Sequence, residues 1–420
     1  MRFKKFVGLI VVILLSASII FFQFNKVPQN LSFDEVEFGR LAKSLEGTPY
    51  QPYSNLATGH PTLYFYIIFF SFKVFGVNNF GLRFPSALFG ILSVLFFYLI
   101  IKKIFNKQGP LFFVLSALIF LSSRWFFNFA RFSFEATLLL FLELASIYFL
   151  FMATGGSNKK SPQIPSSSEF SPQAQWLAKT MVSRIFLILS GLFAGLAFNS
   201  YTPGRIFFLL PLSFLLFKKW NKSAIKQLLF FLVPFIIITA PLSLYLLRNQ
   251  DARVDRLLFW KNQEMTIAEK VNGTLQNITS ISGMFNIKGD LNGRHNYPGK
   301  PALNPILGIL FIAGLIISIR DWKSLYNRFF MFYFIVSLFP SIMIYPWENP
   351  NMLRTFTAIP AVVYFIGQAI TAAKRNVWQI IIVILILLSS IYEVRTYFKY
   401  QAPVFDKAFE IRKPLNKIIK

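Results

Sequence analysis

Cysteine is absent from this chain, and histidine occurs twice, as His60 and His295. No disulfide, thiolate nucleophile or Cys-ligated metal can form, and a multi-histidine metal site is excluded. Acidic residues are scarce: 17 Asp and Glu stand against 43 Lys and Arg, a formal net charge of +26. With so few carboxylates to build from, any cluster of them is informative. Period-two alternation of apolar and polar residues is also missing, which argues against a spanning β-barrel. There is no basic arm with stacking aromatics, so the positive charge does not point to nucleic acid.

What is present is apolar. The 420 residues are 55% hydrophobic and 18% aromatic, with a mean hydropathy of +0.54. A soluble chain of this length is not so apolar. Continuous runs such as Ile380–Leu388 recur from end to end. They mark an all-α polytopic membrane protein. Lys and Arg fall largely in short loops between the runs. That is the positive-inside pattern, reinforced by attraction to anionic lipid.

Topology follows from length and charge. The basic Met1–Lys5 precedes the run Phe6–Phe22, which lacks a small-residue cleavage site and reads as a retained anchor with a cytoplasmic N-terminus. A first outer loop covers residues 23–80. Within it, Val36–Leu45 reads as a short amphipathic helix. A helix over Pro61–Phe75 would be roughly 22 Å long, short of the roughly 30 Å hydrocarbon core. If that segment lies in the outer interface, the basic loops at 102–107, 218–226, 320–323 and 374–375 all fall inside, as the rule requires.

About eleven transmembrane helices are expected. They are Phe6–Phe22, Phe80–Ile101, Pro110–Ser123, Phe134–Met152, Ile185–Phe198 and Arg205–Phe217, then Leu228–Leu246, Asn304–Ile319, Phe329–Tyr345, Thr355–Ala373 and Trp378–Ile391. Together they form one transmembrane domain, 1–420. A Ser- and Pro-rich cytoplasmic linker falls in 153–183, a long outer loop in 248–303 and an outer C-terminal tail in 392–420.

With this topology, polar residues at several helix ends face one compartment. The segment Leu31–Arg40 holds Asp34, Glu35 and Glu37. Carboxylates there can take a proton from a hydroxyl or hold a metal. The same residues also suit a solvated helix start, with Ser32 or Asp34 as N-cap. Arg131 and Glu135 stand four apart and can pair on one helix face, either in a site or as a structural brace. Glu143 lies deeper. Arg205 sits on a loop opened by Pro203 and Gly204, where a guanidinium suits a phosphate headgroup or snorkels to bulk lipid. Arg354 precedes the tenth helix. Asp290, Arg294 and His295 lie in a breaker-rich stretch that also suits an ordinary turn.

The order of these pieces resembles the GT-C glycosyltransferases that use polyprenyl-phosphate sugars. Within them it is similar to the protein O-mannosyltransferases and lipid A aminoarabinose transferases, grouped as glycosyltransferase family 39. The resemblance is carried by Phe33-Asp34-Glu35, His60-Pro61-Thr62-Leu63-Tyr64, Phe75 through Ser86 with Arg83, Arg131 through Glu135, Tyr201–Arg205, Gly289-Asp290 with Arg294-His295, and Pro350 through Arg354. It implies a GT-C fold with juxtamembrane helices in the first outer loop. It also implies inverting transfer of a hexosyl or pentosyl group from a polyprenyl-phosphate donor to an acceptor hydroxyl.

In that family the first-loop aspartate is the base for the acceptor, which maps onto Asp34, with Glu35 supporting it. The acidic residue after the third helix maps onto Glu135, and Glu37 joins it as acceptor or metal support. Donor-phosphate contacts map onto His60, Arg205 and Arg354. The aminoarabinose transferases resemble the His60 stretch with Lys at that position, so His60 is a departure. Arg83, Arg131, Asp290, Arg294 and His295 complete the candidates. A divalent metal on Asp34 and Glu35, or none, is compatible with the pattern.

The expected partners are a lipid-linked sugar, an acceptor glycan, lipid or protein, and the bilayer. The expected setting is a bacterial or archaeal plasma membrane, with the site outward. A lipid-linked sugar transporter or a non-catalytic membrane protein is the rival reading. A transporter would show internal repeats and charges near the midplane, and neither stands out.

Overall fold

In a computed structural model of the chain, residues 7–155, 172–216, 222–373 and 376–419 are described. The helices are α1 Val7–Phe21, α2 Phe33–Ser44, α3 Leu63–Phe75, α4 Asn79–Ile104, α5 Pro110–Ser122, α6 Arg124–Phe129, α7 Glu135–Thr154, α8 Pro172–Phe198 and α9 Leu209–Leu216. They continue as α10 Lys222–Arg248, α11 Ala252–Leu257, α12 Ile267–Met284, α13 Pro305–Arg320, α14 Leu325–Ile342, α15 Ile359–Ala372, α16 Asn376–Thr396 and α17 Ala402–Ala408. One short antiparallel hairpin, β1 Tyr53–Ser54 with β2 His60–Pro61, interrupts the helical pattern inside the first loop.

Six stretches are long and apolar enough to cross a membrane: α4, α7, Thr180–Phe198 of α8, Ala224–Arg248 of α10, α14, and Val377–Ala408 through α16 and α17. Shorter apolar helices lie at Val7–Phe21, Leu63–Phe75, Pro110–Ser122, Thr202–Leu216, Pro305–Arg320 and Phe356–Ala372. The expected spans all coincide with one or other of these stretches. The remaining one, α3, is the segment read as interfacial. Length and composition qualify six as crossings and leave the total of eleven unfixed.

Two expectations change in detail, and the tail proves to be anchored. α8 begins at Pro172, inside the segment read as linker; residues 156–171 of that segment lie outside the described residues. So do residues 217–221 and 374–375 of two expected basic loops. The long loop at 248–303 is largely helical, through α11 and α12. The tail does not extend freely. Leu31 and Ile411 exchange backbone hydrogen bonds at 3.0 Å each way. Leu415 and Ile419 then pack beneath Gly39 of α2.

The bundle is held by close helix crossings. α7 packs on α4 and α8, α8 on α10, and α13 on α15. At the α8–α10 crossing, Gly191 and Gly195 stand one turn apart. A side-chain carbon on Gly191 would meet the Phe231 carbonyl, and one on Gly195 would meet Ile238. Small residues at such a spacing let two backbones approach where lipid supplies no hydrophobic drive. Much of the remaining core is aromatic, and rings pack edge to face or offset through it, as in Phe97 on Phe120 at 4.7 Å.

Candidate active site

α2 starts where its sequence says it should. Ser32 is the N-cap: its hydroxyl accepts from the Glu35 amide, and the Glu35 carboxylate accepts back from the Ser32 amide, a capping box. This places Asp34 and Glu35 about 100° apart around the first turn, and they face different surroundings.

Glu35 is fully buried. Its carboxylate accepts from Arg83 Nε at 2.7 Å and Nη2 at 2.9 Å, from the Ser133 amide at 3.0 Å and from the Ser32 amide at 3.1 Å. Arg83 also donates to the carbonyls of Pro28 at 2.5 Å and Asn30 at 2.6 Å. Glu35 and Arg83 thus form a satisfied internal ion pair. It clamps the first loop to α4 and to the start of α7, and neither group is turned toward a substrate or a metal.

Asp34 is 44% exposed and lines a cleft. Its Oδ2 accepts from Arg294 Nη1 at 2.5 Å, while Oδ1 has no hydrogen-bond partner among the described residues. The cleft encloses about 430 Å³ including its open mouth, and is lined by Phe33, Asp34, Glu37, Phe38, Thr58, His60, Phe134 and Arg253. Glu37 stands one turn after Asp34 on the same face and also pairs with Arg40 at 2.5 Å. Thr58 holds a left-handed backbone (φ 71°), unusual for a β-branched residue, and Gly59 follows at φ 93°. That turn brings β2, and with it His60, onto the cleft wall.

His60 is buried between opposite charges. Its Nδ1 is 2.5 Å from Glu135 Oε1, and Arg253 Nη1 approaches Nδ1 at 2.9 Å and Nε2 at 2.5 Å. A neutral ring with the proton on Nδ1 satisfies both: it donates to Glu135 and accepts from Arg253. The cation that borders the cleft is therefore Arg253, with His60 as its seat. Glu135 lies behind the ring, fully buried, and its Oε2 is without a hydrogen-bond partner. It does not pair with Arg131, as their spacing had suggested. A turn at residues 130–134 separates them. Arg131 instead donates to the carbonyls of Ile20 at 2.5 Å and Val27 at 2.8 Å. It is also boxed by the rings of Phe24, Phe127, Tyr397 and Phe398.

Around this centre the other cations are tethered. Arg205 pairs with Asp251, whose other oxygen caps α11 and accepts from Tyr53 at 2.9 Å. Burial alone would raise the Asp251 carboxyl, but the Arg205 guanidinium outweighs it and holds the group below its ordinary range. Burial beside Asp251 raises the Tyr53 phenol. Arg205 Nε and Nη2 are buried without hydrogen-bond partners. Arg354 pairs with Glu348 at 3.0 Å. Burial raises the Tyr201 phenol, and the charges of Arg253 and Arg354 pull it back. Arg253 also lies over the Tyr201 ring, 5.6 Å from its centroid.

Asp290 and His295 serve as a brace. Asp290 Oδ2 accepts from His295 Nδ1 and from the Met352 amide, each at 2.9 Å. This brace sets the loop that presents Arg294. Glu143 accepts from the Tyr333 hydroxyl at 2.7 Å, deep inside the bundle.

Sequence reasoning missed Arg253. It stands between Arg248 and Arg256 in a mixed-charge loop, and its partner His60 is 193 residues away. The Asp251 cap three residues before Val254 was the one local signal that a short helix starts there. For metal, the donor set is poor. Glu35 is fully engaged elsewhere, so the adjacent carboxylates do not form a two-oxygen seat, and no three His, Asp or Glu side chains converge among the described residues.

The arrangement has known counterparts in backbone shape. The chain aligns over 96% of its length with 76% of ArnT from Cupriavidus metallidurans, solved bound to undecaprenyl phosphate, at TM-score 0.54 and 15% identity. It aligns over 98% with 57% of the archaeal oligosaccharyltransferase AglB from Archaeoglobus fulgidus, solved with an inhibitory peptide and a dolichol-phosphate, at TM-score 0.54 and 14% identity. The chain has the GT-C fold. In sequence, residues 59–161 of this GT-C chain match the family described as dolichyl-phosphate-mannose-protein mannosyltransferase. That stretch takes in His60, Arg83, Arg131 and Glu135, and stops short of Arg253. No curated protein matches the sequence.

Proposed function

We propose that the protein transfers a sugar from a polyprenyl-phosphate donor to an acceptor hydroxyl, with inversion, on the outer face of the membrane. One observation carries the reading: a half-exposed carboxylate, Asp34, and a guanidinium, Arg253, line the same cleft. The match of residues 59–161 to a lipid-phosphate-sugar family and the GT-C fold supply the reaction class.

In this reading Asp34 Oδ1 takes the proton of the acceptor hydroxyl. The hydroxyl oxygen attacks the anomeric carbon from the face opposite the phosphate. A new carbon–oxygen bond forms as the anomeric carbon–phosphate oxygen bond breaks, and the electron pair stays on the departing phosphate. Arg253 meets the growing charge, where preorganised cations act most strongly. His60 and Glu135 hold Arg253 in place. Arg205, tethered to Asp251 two residues before Arg253, is the second phosphate contact. Arg294 orients the Asp34 carboxylate. No step is routed through a metal.

The test is donor turnover. The purified protein and its Asp34→Asn variant are offered a panel of polyprenyl-phosphate sugars with crude membrane lipid and glycan as acceptors. Free polyprenyl phosphate is counted. Release by the wild type alone is expected. Release by both removes Asp34 as base but keeps the transfer. No release with any donor overturns the reading.

A further inference from the structure

The helix α12 has three faces rather than two. Gly273, Asn277, Ile281 and Met284 are buried against the protein. Ile267, Val271, Leu275 and Ile278 are exposed, Ile267 at 77% and Leu275 at 58%. At 100° per residue the exposed apolar stripe lies roughly 120° from the buried face. The third face carries Glu269, Asn272, Gln276 and Thr279, all exposed and polar. A helix at a protein–water boundary needs a buried face and a polar face. A third, apolar face left outside implies a third medium.

The position of α12 says which medium. Asn277 Nδ2 donates to the carbonyl of Ile342 at 2.9 Å and of Ile344 at 2.6 Å, so α12 crosses the C-terminal end of α14. α14 is one of the six stretches long and apolar enough to span. At its other end α12 ties to the approach of α13, through the Ala302 amide on the Met284 carbonyl at 3.0 Å. The helix therefore lies at the depth where a span ends. Exposed aromatics mark the same level. Trp260 donates to Thr274 of α12 at 3.1 Å, and Trp347 stacks on Tyr345 with ring centres 4.2 Å apart. Trp and Tyr collect at membrane interfaces.

We infer that α12 lies in the surface of the bilayer, with Ile267, Val271, Leu275 and Ile278 seated in lipid. The inference needs the chain to span a membrane and is independent of the transferase reading. It has a mechanical corollary. Phe259 packs on Gly273 and Trp260 bonds Thr274, so the segment leading back to Arg253 is strapped to α12. The lipid surface then sets the height of the Arg253 arm.

The chain has no native cysteine, so single-cysteine variants take a nitroxide label at one place. Leu275→Cys, Ile278→Cys, Asn272→Cys and Gln276→Cys are labelled in the full-length protein in phosphatidylglycerol–phosphatidylethanolamine vesicles. Relaxation by oxygen, which partitions into lipid, is compared with relaxation by a water-soluble nickel chelate. Oxygen is expected to dominate several-fold at 275 and 278, and nickel at 272 and 276. Nickel dominance at all four overturns the inference. Shielding of 275 and 278 from both reagents also overturns it, since a protein partner then covers the stripe. Val271→Cys against Thr279→Cys asks the same question if a first variant fails to fold.

Discussion

Asp34 and Glu35 are neighbours with opposite fates. Glu35 is sealed in the core with four hydrogen bonds, two of them from a bidentate Arg83. Asp34 is at the cleft, held at one oxygen by Arg294 and open at the other. A step of one residue on a helix turns a side chain by about 100°. In the first turn of α2 that separates a structural charge from a chemical one. A buried carboxylate with every lone pair engaged has no capacity left for a proton or a ligand. A carboxylate held at one oxygen is oriented without being spent.

The contrast can be broken from either side. Glu35→Gln leaves Arg83 buried without its counter-charge, a loss of about 3–5 kcal/mol. Folded yield and thermal midpoint in detergent should both collapse, and activity with them. A Glu35→Gln protein that folds normally and merely turns over slowly would erase the distinction. Asp34→Asn should keep the wild-type thermal midpoint while donor turnover falls about 10²- to 10⁴-fold.

Arg253→Gln comes next. It removes one charged contact with the donor, worth about 1.5–3 kcal/mol. The expected readout is a raised KM for the lipid donor and a lowered kcat, with acceptor KM unmoved. Arg294→Gln should cost less, about 1 kcal/mol or below for a part-exposed pair. Its mark is a lowered kcat with the donor KM unmoved, because the Asp34 carboxylate loses the contact that orients it. Glu37→Gln, whose partner Arg40 is exposed, is the smallest change. A shift of a few tenths of a kcal/mol in stability is expected, with turnover near wild type.

Much of the fold was legible because the bilayer forces it. Apolar runs of sufficient length must be helical, and every expected span falls on an apolar helix. The helix after Ser32 was legible from its cap. The short Pro61–Phe75 segment was legible as a separate helix from its length and from the charge of the loops, and it begins two residues later, at Leu63. The site was legible in part. Asp34 and His60 do line one cleft, with Glu135 behind. What failed were inferences that assumed a helix where a turn intervened, as with Arg131 and Glu135. Also out of reach was any pair joined across the fold, as with Arg253 on His60. Spacing reports contacts within one helix. It is silent on which of two adjacent carboxylates meets an arginine from another helix, and so could not separate Glu35 from Asp34.

The seam between Leu31 and Ile411 has a consequence in time. Leu31, the residue before the Ser32 cap of α2, is bridged to Ile411, and Leu415 and Ile419 brace α2 from below. During synthesis the segment bearing Asp34 emerges long before the residues that support it. Every intervening helix must enter the membrane before the cleft wall can set. Until residues 411–419 are made, the α2 segment that carries Asp34 lacks this support.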